Sequence, residues 1–101
     1  PGASLNQEER EMKKNYYLAF NALKKINVPV FDHWDDADRF MINAEEGYDK
    51  ESGLAWADYY MMGRGGLSFD DFGVNNKINE ILEKYGLFAE WQNPGCLSVC
   101  D

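Results

Sequence analysis

Residues 71–101 constrain the fold more than any other stretch, because they read in order as helix, strand, turn and strand. Val74, Ile78, Ile81, Leu82 and Tyr85 recur at the one-face spacing of an amphipathic helix, and Asn75 stands where an N-cap belongs. Gly86 occupies the position just past the helix end, where a left-handed residue is favoured. Leu87 then falls where a Schellman motif makes its hydrophobic contact with Leu82. Residues 87–92 and 96–100 alternate apolar and polar side chains on either side of Asn93-Pro94-Gly95. That alternation predicts Ala89 and Trp91 on the core face with Leu97 and Val99, and Glu90, Gln92, Cys96, Ser98 and Cys100 on the other. A two-residue Pro-Gly turn of ordinary hand splays its strands, so a loop of three to five residues with a bulge is expected.

The first half of the chain supplies a second helix and more sheet. Met12, Tyr16, Ala19, Phe20, Leu23 and Ile26 share one helical face, predicting a helix over residues 5–26. Ser4 with Gln7, or Asn6 with Glu9, fits a capping box, and Asn27-Val28-Pro29 ends the helix. Residues 28–38 read as a connection with one helical turn capped by Asp35. Residues 39–44 alternate as a strand, with Phe40, Ile42 and Ala44 inward and Met41 and Asn43 outward. A polar loop follows over 45–53.

Residues 54–62 mix helix-tolerant Ala55, Ala57, Met61 and Met62 with strand-favouring Trp56, Tyr59 and Tyr60. A strand is expected, since the loop would return the chain beside residues 39–44. Gly63-Arg64-Gly65-Gly66 reads as flexible or tightly turned. The class is therefore α+β: two amphipathic helices packed on one face of a three- to four-stranded, mainly antiparallel sheet. The expected core is Phe20, Leu23, Phe40, Ile42, Ile78, Leu82, Trp91, Leu97 and Val99.

A chain of 101 residues is one domain, here 1–101, and the start at Pro1-Gly2 reads residues 1–4 as disordered or tag-derived. Hydrophobic residues at 45% and aromatics at 15% exclude global disorder. The net charge of −8 is concentrated in residues 30–60. There, six aspartates (32, 35, 36, 38, 49 and 58) and three glutamates (45, 46 and 51) face only Arg39 and Lys50, a net of −7. Such a surface repels phosphate backbones and anionic lipid, which argues against direct nucleic-acid or membrane binding. It attracts a basic protein surface. No apolar run reaches the length of a membrane span. On a strand, Cys96 and Cys100 would lie about 13 Å apart, beyond the roughly 7 Å reach of a disulfide. Two free thiols fit a reducing compartment, and a cytoplasmic location is expected.

Catalytic and metal chemistry find little support. Cys96, Cys100 and His33 make one wide ligand pair and a lone histidine, whereas zinc sites use closely spaced pairs. Nothing in the acidic surroundings activates a thiol against His33. Asp32, Asp35, Asp36 and Asp38 lack the glycine and closing glutamate of a calcium loop. The glycines of residues 63–66 lead into Leu67-Ser68-Phe69, with no lysine and helix to hold a phosphate. No catalytic residue, cofactor or metal is expected.

What remains is the interleaving of aromatics with acids, the pattern of an interface with Tyr and Trp anchors in a charged rim. The candidate partner-binding residues are the acids Asp32, Asp35, Asp36, Asp38, Glu45 and Glu46 with the aromatics Trp34, Tyr48, Trp56 and Tyr60. In size and charge the chain resembles small acidic proteins of phages and mobile elements. These antagonise a host machine, often by occupying a basic nucleic-acid-binding groove, and the resemblance covers no motif. It implies a non-enzymatic inhibitor docking on a basic protein surface. The alternative is an accessory or housekeeping domain whose charge serves solubility alone, ahead of a small-ligand binder or an enzyme.

Overall fold

The computed structural model describes residues 12–61, 63 and 66–101. Among them are two helices and a four-stranded antiparallel sheet, an α+β arrangement. Helix α1 is Lys14–Lys25, followed by strands β1 (Val30–Asp32) and β2 (Phe40–Asn43). A 3-10 turn at Tyr59–Met61 precedes α2 (Asn76–Lys84), β3 (Phe88–Asn93) and β4 (Cys96–Cys100). The strands lie in the order β1-β2-β4-β3.

Both helices end as their sequences require. After α1, Asn27 takes φ 70, and the amides of Val28 and Asn27 donate to the carbonyls of Leu23 (3.1 Å) and Lys24 (3.0 Å). After α2, Gly86 takes φ 73, and Leu87 and Gly86 donate to Leu82 (2.9 Å) and Glu83 (3.1 Å). These are two Schellman motifs, each with its hydrophobic contact, Val28 on Leu23 and Leu87 on Leu82, buried. The start of α1 differs from expectation. Lys13 is extended (ψ 151), so the helix begins at Lys14 and the expected run from residue 5 is interrupted. Met12 still reaches the core, but as a chain segment entering the helix. The capping boxes expected at Ser4 and Asn6 lie outside the described residues.

The sheet register explains the core. Val30 pairs with Ile42, Ile42 with Leu97, and Leu97 with Trp91, one apolar row across all four strands. Tyr16, Ala19, Phe20 and Leu23 of α1 and Ile78 and Leu82 of α2 belong to the same buried cluster as Phe40, Ile42, Leu97 and Val99. Phe40 meets Tyr16 and Phe20 edge to face. Trp91 shares this face as expected, yet it is only half-buried because β3 is the sheet's edge.

Four expectations need correcting. Residues 30–32, read as connection, form β1, and His33 replaces Asp35 as the cap of the turn that follows. Met41 points away from the main cluster as predicted, but it is wholly buried between Phe31 and Ser98 on the neighbouring strands. The β3–β4 connection is only Pro94-Gly95, and the splay is absorbed by a bulge at Gln92, between Trp91 and Asn93. Residues 54–61 of the expected 54–62 strand do not form a strand beside β2. Tyr48 bridges Ala55, Ala57 bridges Val74, and Asn75 donates its amide to the Trp56 carbonyl (2.9 Å). Both edges of β2 are taken by β1 and β4, while the Leu54 and Trp56 carbonyls accept the Asp49 and Asn75 amides and the Asp58 amide donates to the Gly73 carbonyl.

Candidate functional site

The loop between β1 and β2 is built around His33. Its Nδ1 accepts the amides of Asp35 (3.0 Å) and Asp36 (3.1 Å). Asp36 Oδ1 accepts the Asp38 amide (2.9 Å), and the Arg39 amide donates to the Asp36 carbonyl (3.1 Å). This tight path opens a cavity of about 310 Å³ against Met12, lined by Asp32, His33, Trp34, Asp35 and Asp36. Trp34 is 58% exposed there. Four of the ten expected partner-binding residues, three aspartates and Trp34, thus line one cleft.

The other candidates are dispersed. Asp38 is exposed just beyond the cleft loop. Glu46 lies in a separate hollow with Phe31 and Asn43, and Glu45 and Tyr60 line a third with Asp58 and Pro94. Tyr48 is exposed. Trp56 is 1% exposed and belongs to the core, packed under Gly47 and without a hydrogen-bond partner for its Nε1, so no partner reaches it in this fold.

The acids divide into two groups by what they hold. Asp36, Asp49, Asp58 and Asp70 accept backbone amides two residues ahead and shape turns. Asp49 is the most committed. It is buried, takes the Ser52 hydroxyl at 2.7 Å and pairs with Lys77 at 2.7 Å. The Lys77 ammonium bond, aided by Ser52, holds its carboxyl down at about 2. By contrast, the carboxylates of Asp32, Asp35, Asp38, Glu45 and Glu46 hold no hydrogen bond or ion pair among the described residues.

The thiols sit at opposite ends of β4 and are separate. Burial, then the Glu45 charge, pushes the Cys96 thiol up. Arg39 donates to Cys100 Sγ (2.8 Å), Ser98 Oγ (2.7 Å) and the Val99 carbonyl (2.9 Å), tying β2 to β4. Among the described residues no group of three or more His, Cys, Asp or Glu is arranged to hold a metal ion, and no helix is long and apolar enough to cross a membrane.

Sequence reasoning missed a second surface. Phe72 and Phe88 are 64% and 49% exposed and flank an apolar groove along the edge of β3. The one signal available was Phe88, an aromatic on the polar side of the alternation in residues 87–92. Comparison with protein-family models, curated proteins and solved structures finds no match for this chain.

Proposed function

We propose that this chain is a non-enzymatic, cytoplasmic binding module that docks the Trp34 cleft on a basic surface of a protein partner, as an inhibitor of a nucleic-acid-binding groove would. The observation that carries this reading is an exposed indole lining the same cleft as three aspartates, of which the carboxylates of Asp32 and Asp35 hold no hydrogen bond or ion pair among the described residues. A lysine or arginine entering the cleft gains both a carboxylate and the face of the Trp34 ring. Asp36, fixed in the turn, places charge there without adapting to the partner.

The rival reading, charge for solubility alone, draws its support from the acids that shape turns. Identifying the protein that co-purifies from the native cell and measuring its affinity decides between them. Trp34→Ala and Asp32→Lys with Asp35→Lys should each weaken binding at least about tenfold, near the loss of one interface anchor. Asp36 is unsuitable for reversal, because its loss would also open the turn. Unchanged affinity in both variants would favour the solubility reading.

A further inference from the structure

We infer that the open edge of β3 accepts an extended segment of a protein partner, one alternating apolar and basic residues, as an added strand. β3 hydrogen-bonds only to β4 and forms one margin of the sheet among the described residues. Natural edge strands are guarded by charged side chains, proline or a bulge. Here the bulge at Gln92 and Pro94 guard the distal end, and along Phe88, Ala89, Glu90 and Trp91 the one guard is the Glu90 carboxylate, which a basic strand would neutralise rather than meet as a barrier. Beside these four residues runs the groove that Phe72 closes, about 260 Å³. That is below the roughly 300–1,000 Å³ of small-molecule sites, and suits a single side chain.

The groove is preformed. Asp70 Oδ1 accepts the amides of Phe72 (2.8 Å) and Val74 (2.9 Å), and Trp91 Nε1 donates to the Phe72 carbonyl at 2.8 Å. Tyr59 supports the Trp91 ring edge to face at 5.3 Å. Its walls are apolar except for exposed Glu90, with exposed Asp71 next to Phe72 and no lysine, arginine or histidine in the lining. In an added strand, side chains alternate between the two faces. Those on the Trp91 face meet Ala89, Trp91 and Phe72, and those on the other face meet Phe88 and the Glu90 carboxylate. Charge complementarity therefore selects basic residues for the second set. A second copy of this chain suits the edge poorly, since it brings a net −8 against −8 and its own Glu90 to the pairing. Main-chain pairing supplies affinity and the groove supplies specificity, as in strand addition generally.

The inference stands independently of the Trp34 cleft, and its test separates the two. The probe is the heptapeptide lysine-valine-arginine-isoleucine-lysine-valine-arginine, titrated into isotope-labelled full chain with backbone amide shifts as the readout. Two further peptides carry N-methyl groups on one or the other alternate set of amides, each blocking one hydrogen-bonding edge. The expected result is shifts centred on residues 88–91 with one N-methylated peptide at least about tenfold weaker than the parent. Glu90→Lys, an exposed position, should weaken binding, and Trp34→Ala should leave it unchanged. Shifts centred on residues 32–36, equal binding by all three peptides, absence of binding, or a dimer formed through β3 without peptide would each overturn the proposal.

Discussion

The Asn75 side chain is 4% exposed, and both of its polar atoms are used. Oδ1 accepts the Lys77 amide at 3.0 Å, capping α2, while Nδ2 donates to the Ala55 carbonyl at 3.1 Å. Aspartate keeps the cap but sets a carboxylate oxygen against that carbonyl. Asn75→Asp should therefore cost about 1–3 kcal/mol, the range for breaking one buried hydrogen bond, in chemical unfolding. A cap role alone predicts little change. Asp49 gives a second residue-scale expectation, in acid. Its carboxyl falls from an ordinary value of 3.8 to about 2 in the fold, chiefly through Lys77. The folded state thus binds this proton more weakly than the unfolded chain, so the contribution is full above pH 4 and is lost as pH falls toward 2. Asp49→Asn should flatten that limb of the stability profile. Tyr16 mirrors it in alkali. Burial first, then the Asp101 charge and hydrogen bond, raise its hydroxyl from 10.0 to about 12, so that contribution is lost as pH rises from 10 to 12.

The two Schellman motifs set where the helices stop, and each depends on one left-handed residue. Gly86→Ala should cost about 1 kcal/mol, since a Cβ is strained at φ near 70, whereas Asn27 already carries a Cβ and Asn27→Ala should cost less, losing only asparagine's tolerance of the left-handed region. No heavy atom lies within 4 Å of the added Cβ at Gly86, so the loss there measures backbone conformation alone. These ends were legible because the signal is local: a glycine or an asparagine after a periodic run, then an apolar residue. The β3–β4 hairpin and the core faces of β2 and β4 were legible for the same reason. Three of the failures needed a distant partner. β1 is three residues long, and only pairing with β2 makes it a strand. Residues 54–58 carry strand-forming side chains, but the turn before α2 claims their backbone. Trp56 looked like an interface anchor and is core because Gly47 lies against its ring and the rest of it joins the buried cluster. The Trp34 cleft was half legible. Its acids and indole stood out in the sequence, whereas their closure into one cavity required the His33-centred turn.

At the scale of the whole molecule, a net −8 on a small surface is a cost to the fold and, on the proposed reading, a resource for binding. Self-repulsion of unpartnered carboxylates is relieved by salt whether or not they bind anything, so the stability of the free protein cannot separate the two readings. Binding kinetics can. The decisive measurement is the association rate constant of the co-purified partner between about 10 mM and 150 mM salt, over which the Debye length shrinks from roughly 30 to 8 Å. If the cleft steers a basic surface, the rate should fall at least about tenfold across that range. Asp32→Lys with Asp35→Lys should lower it at low salt and flatten its slope. A rate indifferent to both salt and the double reversal would contradict the account and leave the acids as solubilising charge.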